Sequence, residues 1–143
     1  MLAVSTDDAL LDVERVHRWL SEDAYWARGR TLETVERSLR HSVNVGAYDD
    51  GEQVGFLRLV TDRATFAWVC DVYVDPAARG LGVGKLLMAE ADRLLTTYGV
   101  RRAMLATADA HSLYAQFGFV QLAKPELHME KSDPNVYSRP TTR

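Results

Sequence analysis

A chain of 143 residues, 47% hydrophobic, can bury one compact core but is too short for two enzymatic domains. A formal net charge of −3 with no Lys/Arg block gives no basic field for a nucleic-acid backbone; one cysteine excludes an internal disulfide, and the four histidines show no metal-ligand spacing with it or with one another. The start, Met1 to Asp8, lacks the charged and apolar regions of a signal peptide, and no apolar run reaches membrane-spanning length, so a cytoplasmic protein without a membrane partner is expected.

In chain order, a short strand at Leu2 to Ser5 precedes Asp12, a helix cap for the apolar stripe Val13, Val16, Trp19 and Leu20. A loop, Tyr25-Trp26-Ala27-Arg28-Gly29-Arg30, leads to Thr31, which caps a second helix carrying Leu32, Val35 and Leu39. Alternation begins at Val43, and Asp49-Asp50-Gly51 marks a hairpin between strands from Val43 to Tyr48 and Gln53 to Thr61. A third strand runs from Phe66 to Val74. The next helix, from about Gly82 to Tyr98, ends at Gly99. Ala103 to Thr107 reads as a strand, Asp109 as the cap of a short helix stopped by Gly118, and Phe119 to Leu122 and Leu127 to Lys131 as two final strands. The domain is expected to span residues 1–131, followed by a polar tail, 132–143, that is either disordered or an arm docked on a neighbour. Helices, then a meander, then a strand-helix-strand crossover predict one mixed, mostly antiparallel sheet with helices on both faces, an α/β (α+β) fold.

The segment Val72-Tyr73-Val74-Asp75-Pro76-Ala77-Ala78-Arg79-Gly80-Leu81-Gly82-Val83-Gly84-Lys85 takes an apolar strand through glycines into an amphipathic helix. Glycines let the backbone approach a ligand closely, and the first helical N–H groups lack intrahelical partners, so a phosphate is the natural guest. A P-loop is excluded because the position five before Gly84 is Arg79 and the residue after Lys85 is Leu86. A dinucleotide fingerprint starting at Gly80 needs its third glycine at position 85, where Lys85 stands.

Arg79-x-x-Gly82-x-Gly84 after Val72-Tyr73-Val74-Asp75-Pro76, with Ala110, Leu113-Tyr114 and Gly118-Phe119 further on, resembles the GNAT superfamily of acyl-CoA-dependent N-acetyltransferases over most of the chain. The resemblance implies a GNAT-type fold, acetyl-CoA as acyl donor without a metal, and direct attack by a primary amine. It implies that amides from Arg79 through Gly80, Leu81, Gly82, Val83 and Gly84 to Lys85 hold the CoA diphosphate. The edge of Val72, Tyr73 and Val74 would bond the pantetheine, with an N–H near Val72 polarising the thioester carbonyl. Tyr114 is implied as general acid for the departing thiolate. Thr107 stands where the family commonly has an Asn, seven residues before the tyrosine, and its hydroxyl can still donate or accept to the cofactor.

Asp71 interrupts an apolar run beside the thioester site and is either the general base or an ion-pair partner of Arg58 on the preceding strand; Asp62, Asp109 or a water relay are the alternatives for the base. Cys70 reads as core packing, since a nucleophile needs a paired histidine that the sequence does not identify. By resemblance Tyr25, Trp26, Arg28 and Arg30 border the acceptor pocket, where the aromatics enclose a cation or else cover the core. The acceptor is a small-molecule or peptide amine, and a homodimer through the far sheet edge or the tail is compatible with the chain. The alternative function is a non-catalytic acyl-CoA sensor or regulatory module.

Overall fold

The computed structural model describes residues 1–138, so the last part of the polar tail, 139–143, lies outside the described residues. Five strands, β1 (Leu2–Ser5), β2 (Val43–Asp49), β3 (Glu52–Thr61), β4 (Phe66–Val74) and β5 (Arg102–Met104), form one sheet in chain order. All neighbours are antiparallel except the β4–β5 pair, which is parallel. The β2–β3 turn carries positive φ at both central residues, Asp50 at 49° and Gly51 at 87°, the geometry whose twist suits a tight hairpin.

Helix α1 (Val13–Arg18) starts where the Asp12 carboxylate accepts the Arg15 N–H at 3.1 Å, and continues as a wide turn, Trp19–Asp23. Helix α2 (Leu32–Arg40) starts where Thr31 Oγ1 accepts the Thr34 N–H at 3.1 Å. Their apolar stripes, with Val16, Leu20 and Val35, bury against Phe56 and Tyr73 on one sheet face. Helix α3 (Val83–Tyr98) covers the other face, where Leu87 and Met88 meet Val45, Leu57 and Leu59. Emptying one of these fully buried sites, as in Leu87→Ala, costs about 2–5 kcal/mol.

Two details aim α3 at the sheet edge. A Cβ on Gly55 would lie 2.8 Å from Val83 Cγ1 and 3.1 Å from Leu87 Cδ1, so β3 must be bare there for the first turns of α3 to sit on it. Gly82, at φ 82°, has open space around the point where a Cβ would stand; it is needed for its left-handed backbone and not for room.

Strand β4 carries a bulge. Its register against β3 passes from Phe56↔Tyr73 to Arg58↔Cys70, and Asp71 sits at φ 54°. The extra residue switches which face the following side chains meet: Val69 packs with α3, Asp71 and Tyr73 face α1 and α2, and Val72 and Val74 return to α3.

After β5 the chain departs from the sequence expectation. Only Arg102–Met104, not Ala103 to Thr107, is strand, and neither Phe119 to Leu122 nor Leu127 to Lys131 pairs with any described strand. A ladder needs a neighbour, and a cavity of about 970 Å³ lies between β5 and residues 117–123; Pro125 turns the chain into a 3₁₀ turn, Pro125–Leu127. Helix α4 (His111–Ala115) is not capped by Asp109: Thr107 Oγ1 accepts the Ala110 N–H at 3.0 Å and the Asp109 N–H at 3.4 Å.

Candidate active site

β4 and β5 part company early. β4 is bonded to β3 as far as Val74, yet its pairing with β5 ends at Trp68 and Met104. The Asp75 N–H donates to Val54 O on β3 at 2.8 Å, so by strand alternation the N–H groups of Val72 and Val74 face the wedge instead. The Val74 carbonyl confirms that direction by accepting Arg79 Nε–H at 3.1 Å. A wedge whose wall presents unpaired strand amides can accept an extended amide chain as an added strand.

At the wedge's mouth, Asp75 Oδ1 accepts the Ala77 N–H at 2.9 Å and shapes the turn Pro76–Ala78. Gly80 (φ 83°) and Gly82 (φ 82°) then turn the chain into α3, whose first internal bond is Leu86 N–H to Gly82 O at 3.0 Å. The amides of Val83, Gly84 and Lys85 precede that bond and project from the helix end, a place that favours phosphate oxygens. A Cβ on Gly84 would stand 3.5 Å from Leu113 Cδ2, so the helix start faces the α4 segment that carries Tyr114.

Arg79 makes a further contact. Its guanidinium lies 5.4 Å from the Tyr73 ring centroid and 3.6 Å from Asp23 Oδ2, while the Tyr73 hydroxyl donates to the same carboxylate. Burial and Asp23 together push the Tyr73 phenol up to about 12. Nothing in the sequence spacing identified Asp23 as a partner, because it arrives from the wide turn after α1.

Tyr114 is buried, its ring 6.3 Å from Phe119 in an edge-on contact. Burial raises the phenol's pKa, and the charges of Asp109 and Tyr25 add in the same direction, so it is protonated at neutral pH. Tyr114 and Thr107 line the 970 Å³ cavity between β5, α4 and residues 117–123, whereas Val72 to Val74 and 79–85 do not. The cavity is thus distinct from the wedge and shares its Tyr114 side.

On the opposite face the bulge delivers Asp71 into a buried cluster. Asp71 Oδ2 accepts Arg30 Nη1–H at 2.8 Å and Arg58 Nε–H at 2.9 Å, and Oδ1 accepts the Trp26 indole N–H at 3.0 Å. Burial alone would raise its pKa, but the Arg58 and Arg30 charges and hydrogen bonds outweigh that and lower it. The ion-pair reading is the one the geometry realises, with Arg30 as a second partner. Asp62 lies at the other end of the strands, where it accepts the Ala64, Thr65 and Phe66 N–H groups in the β3–β4 turn. Burial pushes the Cys70 thiol up to about 11, which disfavours the thiolate that nucleophilic work needs at neutral pH.

The loop 24–30 is split between exposed and buried residues. Tyr25 (56% exposed) and Trp26 (41%) meet edge to face at 5.0 Å at the surface, Trp26 also reaching the buried Asp71 with its indole N–H, and Arg28 is exposed beside the buried Arg30. Among the described residues no group of three His, Cys, Asp or Glu side chains could hold a metal ion, and no helix is long and apolar enough to cross a membrane.

A mixed sheet splayed at a bulged fourth strand, with a glycine-led helix at its mouth, defines an acyl-transfer fold. The Acetyltransferase (GNAT) family matches residues 13–119, and the chain belongs to that family. It is similar to a candidate acetyltransferase of Gibberella zeae, FG08082, at 32% identity over 79% of this chain and 75% of that one. An uncharacterized N-acetyltransferase of Porphyra purpurea, ycf52, is 30% identical over 71% of this chain and 62% of its own length. Among solved structures, a candidate GNAT acetyltransferase of Xanthomonas campestris superposes with a TM-score of 0.92 at 44% identity, covering 97% of this chain and 98% of that one. The protein is an enzyme of the acetyltransferase class.

Proposed function

We propose that the protein moves an acetyl group from acetyl-CoA to a primary amine by direct attack, with no covalent enzyme intermediate. The observation that carries this reading is the wedge itself: Val72 and Val74 N–H groups turned away from β3 just past the Trp68↔Met104 pair, at the mouth where α3 begins. Pantetheine lies along Val72, Tyr73 and Val74, and the diphosphate meets the amides from Arg79 to Lys85. Thr107 offers its hydroxyl hydrogen from the other side, its oxygen being engaged as an acceptor. An N–H near Val72 draws charge from the thioester carbonyl, and Tyr114 gives its proton to the leaving thiolate.

Asp71, its pKa lowered by two guanidinia, has little appetite for a proton and serves to position the loop 24–30. The attacking amine loses its proton through water. Tyr25 and Trp26, exposed and edge to face, form the acceptor's aromatic border, with Arg28 at its rim. Similar folds at low identity include a glucosamine-6-phosphate N-acetyltransferase of Arabidopsis thaliana and the ribosomal-protein-S18-alanine N-acetyltransferase of Escherichia coli. Glucosamine 6-phosphate and an alanine-initiated peptide therefore join putrescine and glycinamide in the first panel of amines.

Titration calorimetry with acetyl-CoA, followed by release of free CoA thiol in the presence of each amine, tests the reading. Saturable binding together with acetylated product supports it. Binding without product from a broad amine collection supports the sensor alternative, and no binding at all removes both. A homodimer through the free edge of β5 belongs to the same reading, because no described strand pairs there and Val120, Leu127 and Met129 are 86%, 71% and 99% exposed. Light scattering that returns the mass of one chain, 16.1 kDa, rejects it.

A further inference from the structure

The polar tail returns to the site. Its last described turn, Val136–Ser138, brings Tyr137 against the loop between α1 and α2. Arg30 Nε–H donates to the Tyr137 hydroxyl at 3.1 Å, with the guanidinium carbon 5.5 Å from the ring centroid. Gly29 stands beside it at φ 81°, glycine for its left-handed backbone, since a Cβ there would meet Tyr137 Cβ only at an ordinary 4.0 Å.

Arg30 is only 8% exposed and is held on three sides. Nη1 donates to Asp71, Nε to Tyr137, and the Arg30 carbonyl lies 3.0 Å from His17 Nε2 on α1. A buried guanidinium needs its fixed fork of donors satisfied, and the tail supplies one acceptor from 107 residues away in sequence. Tyr137 belongs to neither hydrophobic cluster, so the contact adds nothing to the core. Its effect passes along one line: Tyr137 to Arg30, Arg30 to Asp71, and Asp71 to the adjoining Val72 on the wedge wall.

We propose that the C-terminal segment is a strap over the acceptor side of the cleft, with Tyr137 a positioning residue that holds Arg30 on Asp71 and the loop 24–30 as the wall an incoming amine meets. The word acceptor rests on the acetyl-transfer reading; the strap itself does not. Removing the phenol leaves Arg30 Nε–H without its acceptor and lets the loop open, while the α3 end of the wedge is untouched. Tyr137→Phe keeps the ring but not the acceptor oxygen and falls between wild type and Tyr137→Ala.

The test uses the full chain as wild type, Tyr137→Phe and Tyr137→Ala. Hydrogen exchange at residues 24–31 is expected to quicken by about tenfold in Tyr137→Ala, the size of one lost hydrogen bond to a charged group, and by less in Tyr137→Phe. Acetyl-CoA affinity by calorimetry stays within about twofold, and with the best amine of the panel above KM for the amine rises about fivefold while KM for acetyl-CoA does not. Unchanged exchange at 24–31 in Tyr137→Ala overturns the strap, as does a rise in both KM values together. Failure of wild type to bind acetyl-CoA removes the acetyl-transfer reading instead, and the exchange comparison still decides the strap.

Discussion

The Trp26 indole N–H donates to Asp71 Oδ1 at 3.0 Å, which ties the loop between the first two helices to the bulged residue of β4. Two segments far apart in the chain are thereby joined by a side-chain hydrogen bond. The same carboxylate is the shared counter-charge of the buried Arg30 and the half-buried Arg58.

Asp71→Asn leaves Arg30 and Arg58 without their shared counter-charge, and a loss of about 3 kcal/mol in chemical denaturation is expected, the usual size for breaking a buried pair. A change under about 0.5 kcal/mol would mean the charges are screened by solvent.

The same pair predicts a pH dependence. Folding lowers the Asp71 pKa, so the unfolded chain binds its proton more readily; the stabilisation is fully present above the unfolded value, near pH 4, and is lost as pH falls through the folded value. The gap between wild type and Asp71→Asn should therefore be constant from about pH 7 to 5 and narrow below about pH 4. A gap that widens on acidification contradicts the assignment.

Tyr114→Phe removes the hydroxyl but keeps the ring on Phe119. A fall in kcat of about 10²-fold with acetyl-CoA affinity within a factor of about two is the expected signature of a general acid. Because its pKa is raised, Tyr114 stays protonated through neutral pH, and a loss of rate from its ionisation is expected only in alkali.

Gly82→Ala places a side chain on a left-handed residue in open space. The expected cost is about 1 kcal/mol of stability and a weaker calorimetric affinity for acetyl-CoA, as the start of α3 reorients. Gly55→Ala instead meets Val83 at 2.8 Å and should cost about 1–3 kcal/mol through overpacking. Equal affinity for acetyl-CoA in Gly82→Ala would dissociate the cradle from cofactor binding.

Cys70→Ala should retain activity, and the wild-type thiol should resist iodoacetamide at neutral pH in the folded protein, since burial holds it protonated with a pKa of about 11. Rapid inactivation by the reagent would return Cys70 to the chemistry.

Much of the fold was legible because it is locally encoded. Asp12 and Thr31 cap their helices, Asp50-Gly51 turns the hairpin, Phe66–Val74 is strand from end to end, and Gly99 closes α3. The Arg58 to Asp71 pair was also legible, as two charges breaking neighbouring apolar runs. Residues after Met104 were misread because a strand depends on what lies beside it: Phe119 to Leu122 has the composition of one, but a cavity separates it from β5.

The order of residues alone determined the family, the glycine-led turn into α3 and the short helix that carries Tyr114, since each depends on near-neighbour spacing along a strand, turn or helix. Only tertiary structure decided the bulge at Asp71, the second arginine on it, the pairing of Asp23 with Tyr73 and Arg79, and the return of Tyr137 to Arg30. These contacts join segments with no shared periodicity, so they become visible only when the chain has closed.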